Sequence, residues 1–239
     1  MTSPRTVVAV AFERIQLLDL AGPVEVFDAA NQLLARHDRL TDAYDVRIAT
    51  PDGDRVRSSS RVEIGADVDL HAIATGPSPD TVLVVGGQGT RRARVDEAIL
   101  ADLRALADGA RRVTSVCTGA LVLASAGLLD GYQATTHWGS CDLLAERPEI
   151  EVLPDQIYVH DRDRWTSAGV TAGIDLALAL VEDDHGPELA HEVAAWLVVF
   201  ARRPGGQAQF SVQLRAQAAR TPGIARVQRW LPDHLDEDL

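Results

Sequence analysis

Short apolar runs alternate along this chain with longer stretches in which apolar residues recur at helical spacing. The apolar runs are rich in Val and Ile, as expected of strands buried on both faces, and they predict strands at 7–12, 46–50, 81–86, 113–117 and 165–168. Shorter extended pieces are predicted at 61–64, 133–137 and 156–160. The helical periodicity predicts helices at 22–36, 94–108, 118–129, 139–146, 171–182 and 187–201.

This alternation indicates an α/β fold with a largely parallel sheet covered by helices. The pattern changes near the C-terminus. Residues 1–203 are predicted to form the α/β domain, and 204–239 a junction followed by an amphipathic helix. The helix is suggested by apolar residues at helical spacing, interrupted by one proline: Ile224, Val227, Leu231 and Leu235. The chain then stops abruptly on acidic residues, which suggests a cut inside a longer protein.

Composition narrows the classes of function. The formal net charge of −12 makes this chain by itself a poor candidate for non-specific nucleic-acid binding. No apolar run reaches the roughly 18–20 residues of a membrane span, and the N-terminus lacks the regions of a signal peptide, so we expect a cytoplasmic protein. Its 2 cysteines predict neither a structural disulfide nor a metal site, and we expect no cofactor.

Cys117 stands where a predicted strand meets a predicted helix. It follows the run Val113-Thr-Ser-Val116 and precedes Thr118-Gly119. Free backbone N–H groups at a helix start favour an anion, so the thiol is expected to ionise more readily than a free thiol, whose pKa is about 8.5. A buried, inert cysteine is the alternative reading, and Cys141 is interpreted in that way.

Other candidates end predicted strands or follow them. Gly86 and Gly87 end a strand, where a backbone N–H could stabilise an oxyanion or where the chain simply turns. Thr118 could offer its hydroxyl or N–H to a bound oxyanion. Asp19 either caps a helix before Pro23 or serves as a site acid. His137 is either a core residue or a partner lining the cysteine pocket.

Taken together and in order, several pieces of the sequence resemble the ThiJ/PfpI superfamily, which has the class I glutamine amidotransferase-like fold. The pieces are Asp19-Leu-Ala-Gly-Pro-Val-Glu-Val-Phe27, Gly86-Gly87, Ser115-Val-Cys-Thr-Gly119, Gly127-Leu-Leu-Asp-Gly131, Ala134-Thr-Thr-His-Trp138 and Ala168-Gly-Val-Thr-Ala-Gly-Ile-Asp175. The resemblance extends from about residue 6 to residue 210. It implies an α/β fold in which a doubly wound, mostly parallel sheet is sandwiched between helices, as in flavodoxin-like proteins.

The resemblance implies roles for individual residues. Cys117 matches the nucleophilic cysteine, Asp19 the acid beside it, and Thr118 a neighbour that contributes to the pocket. Gly86 and Gly87 match the backbone on the oxyanion side, and His137 a residue of the pocket wall. No second histidine stands where an amidotransferase triad would need one, which argues against glutamine hydrolysis.

Two branches of the superfamily share these motifs: isonitrile hydratases, and AraC-family transcription regulators in which a helix-turn-helix domain follows. The segment from Val198 to Phe210 is similar to the junction of the regulators, and it offers Gln207 and Gln209 where the hydratases carry another acid. The leading hypothesis is therefore a ligand-sensing regulator domain that binds a small-molecule effector, forms a homodimer, and reaches DNA only through a missing C-terminal domain. A stand-alone hydratase using Cys117, and a redox sensor oxidised at Cys117, are the alternatives.

Overall fold

The computed structural model describes residues 3–36, 43–200, 203–206, 209, 226–227 and 230. Within them lies a seven-stranded sheet in the order β10-β11-β7-β6-β1-β2-β5, parallel except that β10 runs antiparallel to β11. Its strands are β1 (Arg5–Val10), β2 (Tyr44–Thr50), β5 (Val68–Asp69), β6 (Thr81–Val84), β7 (Arg112–Val116), β10 (Tyr158–Asp161) and β11 (Arg164–Ser167). Two short pairs stand apart: β3 (Val56–Arg57) with β4 (Glu63–Ile64), and β8 (Gln133–Ala134) with β9 (Glu151–Val152).

Helices cover both faces of the sheet. They are α1 (Leu17–Arg36), α2 (Leu70–Ala74), α3 (Thr90–Ala93), α4 (Glu97–Ala107), α5 (Gly119–Ser125), α6 (Cys141–Ala145), α7 (Ala172–His185) and α8 (Pro187–Trp196), with a 3₁₀ turn at Trp138–Ser140. One layer contains α1, α7 and α8, which pack on one another, and the other contains α2 to α5. Right-handed crossovers that leave β1 in one direction and β6 in the other require this arrangement. The predicted doubly wound fold is confirmed.

The chain reverses direction across the sheet between β1 and β6, which are neighbours. In such folds ligands bind outside the carboxyl ends of the strands at this switch point. The segments that follow β1 and β6 meet there, joined by an isolated bridge between Ile15 and Gly87. The fold therefore directs attention to this edge before any side chain is considered.

Several predicted boundaries were wrong for local reasons. The helix predicted at 94–108 begins only at Glu97, as α4, because Asp96 caps it by accepting hydrogen bonds from the N–H groups of Ala98 and Ile99; the short helix α3 precedes the predicted range. The helix predicted from residue 22 begins at Leu17. The helix predicted to residue 129 ends at Ser125, before Gly127 with φ 76°. The two-residue strands β3, β5 and β9 and the short helix α2 carry too little periodicity to be recognised.

The segment 204–239, predicted as junction and amphipathic helix, lies largely outside the described residues. Its described part comprises 204–206, 209, 226–227 and 230. Across the portion of the chain that is described, no helix combines the length and hydropathy needed to cross a membrane.

Candidate functional site

Cys117 occupies a sharp turn between β7 and α5, as its sequence context predicted. Its backbone adopts the left-handed conformation, with φ 57°, and its N–H donates to the carbonyl of Ser167 at 2.9 Å. Glycines make room for the turn: a Cβ on Gly169 would lie 2.1 Å from the Cβ of Cys117, and one on Gly86 would lie 2.8 Å from it. The thiol is thus held in a strained backbone with close neighbours on two sides.

Asp19 lies in the first turn of α1, and its side chain is fully buried. Its Oδ1 accepts a hydrogen bond from the N–H of Val170 at 2.7 Å. Its Oδ2 is buried and has no partner in hydrogen-bonding geometry among the described residues, although the Cys117 thiol and the Gly86 N–H interact with this carboxyl. The helix-cap interpretation of Asp19 was therefore wrong, because the carboxyl reaches across to the loop after β11.

Val170 was not recognised as a site residue from the sequence. It has φ 53° and follows Gly169, with φ 85°. A positive φ is costly for a β-branched residue. The strain places the Val170 N–H against Asp19, so this loop holds the acid beside the cysteine.

Burial sets the protonation states of the pair. It raises the pKa of Asp19 to about 6, with the Val170 hydrogen bond acting in the opposite direction. Burial and the Asp19 carboxylate raise the pKa of the Cys117 thiol to about 12. The expected ease of thiol ionisation was wrong, since desolvation and a neighbouring negative charge outweigh the N–H group of Thr118. Between these two pKa values the pair shares one proton and one negative charge.

Gly87 and Thr118 are hydrogen bonded to each other. The N–H of Gly87 donates to Thr118 Oγ1 at 2.9 Å, and the Thr118 and Thr90 hydroxyls lie 2.9 Å apart. Gly86 is required by the close approach of Thr118, whose N would lie 2.5 Å from an added Cβ. These residues do line the site. However, the Gly87 N–H already donates to Thr118 Oγ1, and the Thr118 hydroxyl has acceptors in the Gly87 carbonyl at 3.3 Å and the Thr90 hydroxyl, so both donors already have partners within the protein.

His137 lies at the wall of the site, and its ring is hydrogen bonded to the backbone two residues further along. Its Nδ1 accepts from the N–H of Gly139 at 3.2 Å, and burial lowers the pKa of its ring. In the described structure no hydrogen bond joins this ring to Cys117. The preceding Thr136 does contact the turn, because its hydroxyl donates to the carbonyl of Cys117 at 2.8 Å.

A cleft of about 1130 Å³ opens above Cys117. It brings together the predicted residues Gly87, Cys117, Thr118 and His137, while Asp19 and Gly86 lie behind its floor. It also contains residues that sequence reasoning missed: Glu13, Arg14, Gln16, Gln88, Arg91, Arg92, Arg94, Leu121, Ser140, Leu143 and Val170. The position of 87–94 directly after β6, at the switch point, was the signal that could have revealed the arginines.

The described residues contain no group of three His, Cys, Asp or Glu side chains arranged to hold a metal ion. Cys141 is buried, and its Sγ lies 3.7 Å from the carbonyls of Thr136 and His137.

The site places Cys117 in a left-handed turn after a central strand, with the buried acid Asp19 beside it. This is the pairing of cysteine and acid that the resemblance of the sequence implied. The chain matches the DJ-1/PfpI family over residues 5–183 and belongs to it. A ThiJ/PfpI family protein from Pseudomonas syringae has a similar structure, with a TM-score of 0.74 and 25% identity over 97% of this chain and 87% of that one.

Two of the relatives correspond by name to the two branches described above. The chain is 38% identical to the isonitrile hydratase of Pseudomonas putida over 76% of its own length and 73% of the hydratase. It is 32% identical to the HTH-type transcriptional regulator GbdR of Pseudomonas aeruginosa over 82% of its own length. This second match spans about half of the regulator, 51%.

Proposed function

We propose that this chain is the ligand-sensing domain of an AraC-type transcription regulator and that the cleft above Cys117 is its effector site. One observation carries the proposal. The cleft has a volume of about 1130 Å³, but burial and the Asp19 carboxylate raise the pKa of its thiol to about 12, which favours the protonated form at neutral pH. Such a thiol is a poor nucleophile. The raised pKa also disfavours a peroxide sensor, because the thiolate is the form that peroxide oxidises.

The relatives support a division of labour between two domains. The regulator from Pseudomonas aeruginosa is about twice as long as the region matched. A net charge of −12 suits a domain that leaves DNA contact to another part of the protein. We expect a homodimer that positions two such DNA-binding domains on paired half-sites.

Contacts at the end of the domain offer a route from the cleft to the junction. Thr136 holds the Cys117 carbonyl, and the side-chain amide of Gln209 donates to the Thr136 carbonyl at 2.9 Å. Arg203 is anchored by its side chain to Asp175 at 2.5 Å. A ligand that displaces the Cys117 turn would therefore disturb the segment after residue 203, where we place the domain boundary.

The test is a thermal unfolding screen of this chain against small metabolites, because an effector raises apparent stability by mass action. A true effector should lose its effect in Leu143→Trp, which fills the cleft, and keep it in Leu128→Trp, a similar change at a partly buried leucine outside the cleft. Equal stabilisation of both variants would contradict the proposed site. The codons after Leu239 should encode a helix-turn-helix domain, and a stop codon there would count against the regulator assignment.

A stand-alone isonitrile hydratase is the second candidate, favoured by the match over 73% of such an enzyme. In that reaction Cys117 Sγ would bond to the isocyanide carbon while the thiol proton passes through Asp19 to that same carbon, which gives a thioimidate. Water would then add to the carbon, and the S–C bond would break to release an N-substituted formamide and restore the thiol. This candidate predicts isocyanide turnover that disappears in Cys117→Ala. Such turnover by the folded chain would overturn the sensor proposal.

A further inference from the structure

The mouth of the cleft is positively charged, although the chain as a whole is acidic. The chain as a whole has a formal net charge of −12, yet the described lining of the cleft contains one carboxylate, Glu13, and four arginines: Arg14, Arg91, Arg92 and Arg94. The arginines come from two segments, one after β1 and one after β6, so the fold and not a run of sequence gathers them.

Three of these guanidinium groups have no acidic partner within the part of the chain that the structure describes. Glu13 is engaged by the backbone N–H of Arg57 at 2.9 Å, and Arg14 donates to the side-chain oxygen of Gln88. Among the residues whose positions are described, no acidic side chain pairs with the others: Arg91, Arg92 and Arg94. The cleft thus has a positive rim that its own residues do not balance.

The remaining titratable groups at the cleft do not cancel this charge. Burial lowers the pKa of His137, so its ring is neutral at pH 7. The Asp19 carboxyl lies behind the floor with no exposed surface, hydrogen bonded to Val170. The thiol of Cys117 is protonated. A ligand entering the cleft therefore meets positive charge at the rim and apolar surface from Leu121 and Leu143.

We propose that the ligand of this cleft is a small anion, a molecule that bears a carboxylate or phosphate group held by Arg91, Arg92 and Arg94. Guanidinium groups pair with both anions through two parallel hydrogen bonds. The inference rests on the proposed function in treating the cleft as the effector site, and it names the chemical class of that effector.

The dimensions and surroundings of the site favour a small molecule over a nucleic-acid backbone. A volume of about 1130 Å³ suits a metabolite. The acidic character of the whole chain opposes the approach of a long polyanion. A small anion avoids most of that repulsion because it contacts the rim alone.

The first test compares two alkylating reagents of similar size, anionic iodoacetate and neutral iodoacetamide, by mass spectrometry of Cys117. The Asp19 carboxylate opposes the anionic reagent in every variant, so the informative quantity is the rate ratio between variants. Replacing two rim charges in Arg91→Gln/Arg92→Gln should lower the iodoacetate-to-iodoacetamide ratio about tenfold, the lower end of electrostatic enhancement in charged clefts. The control is Arg47→Gln, an exposed arginine of β2 paired with Asp45, which should leave the ratio unchanged.

The second test measures thermal unfolding in citrate, in inorganic phosphate, and in sodium chloride of equal ionic strength, and decides the matter if the thiol reacts with neither reagent. Citrate or phosphate should stabilise the wild-type protein and Arg47→Gln more than chloride does, and the double variant should lose this gain. The more effective anion identifies the charged group. No such gain in the wild type, or a gain that the double variant keeps, would overturn the proposal. An effector that is neutral or cationic would overturn the anion assignment and leave the sensing function standing.

Discussion

Two carboxylates are buried at opposite ends of the strands of the same sheet, and they differ in how completely they are hydrogen bonded. Asp184 lies at the edge where the parallel strands begin, with its side chain fully buried. It accepts hydrogen bonds from Arg112 at 2.5 Å, Arg111 at 2.6 Å and the Tyr44 hydroxyl at 2.8 Å. Asp19, where the strands end, has one short hydrogen bond, from Val170, and weaker interactions with the Cys117 thiol and the Gly86 N–H. Its Oδ2 has no partner in hydrogen-bonding geometry among the described residues.

The difference separates a structural group from a functional one. A buried charge is costly unless it is paired and hydrogen bonded. Around Asp184 that cost is offset, because residues that begin β1, β2 and β7 converge on it. Around Asp19 no cation among the described residues offsets the cost, and the carboxyl is held beside a strained cysteine. A buried carboxylate that lacks hydrogen-bond partners therefore distinguishes the functional site better than burial of a carboxylate alone.

The largest effect is expected at the structural edge. Replacing Arg112 with Met leaves Asp184 buried without its closest guanidinium, and breaking a buried pair in this way costs about 3–5 kcal/mol. Urea unfolding measures the loss. Arg57→Met, which breaks an exposed pair with Glu63, should cost less than about 1 kcal/mol. If both variants lost equally little, Arg5 and Arg111 would suffice for Asp184 and the contrast between the two edges would weaken.

At the functional edge the expected effect is a dependence on pH. The pKa of Asp19 is about 6 in the folded protein against 3.8 for the free group, so the folded state keeps a proton that the unfolded state has lost. Its contribution to stability is therefore present below pH 3.8 and lost as the pH rises through 6. The difference in pKa corresponds to about 3 kcal/mol at most.

Asp19→Asn removes this titration. The free energy of unfolding, measured by urea at several values of pH from about 4 to about 7, should fall more with rising pH in the wild type than in the variant. Taking the difference between the two proteins cancels the other titrating groups. Parallel curves would mean that Asp19 is solvated or paired, and the contrast with Asp184 would be lost.

What the sequence could predict depended on distance along the chain. The turn at Cys117 was predictable because an apolar strand, a cysteine and Thr118-Gly119 are adjacent. The place of Asp19 beside that turn came from resemblance alone, since periodicity favoured neither capping nor a site role. The Val170 contact was missed because nothing in the residue type announces a left-handed backbone.

The network at the other edge was missed for the same reason. Arg112 and Asp184 are separated by 72 residues, and each reads alone as an ordinary charge at the end of an element. The arginines of the cleft rim were likewise visible as residues but not as a cluster, because only the crossing of the chain between β1 and β6 brings Arg14 to Arg91. Sites formed by residues adjacent in sequence were predictable, whereas the pairing of charged residues far apart in sequence was not.

The smallest of the expected effects comes from a variant that tests whether the hydrogen-bond donors of Asp184 stabilise it independently. Tyr44→Phe removes one hydrogen bond to the carboxylate and keeps the ring that packs on Phe27, with centroids 4.7 Å apart. The arginines remain, so the expected loss in urea unfolding is about 1–2 kcal/mol, well below that of Arg112→Met. Tyr132→Phe is the control, because its hydroxyl bonds to Asp163 near the surface at 2.9 Å and should cost a few tenths of that amount. A loss at Tyr44 as large as that at Arg112 would mean that the network fails as a unit, and the buried carboxylate would then depend on every one of its donors.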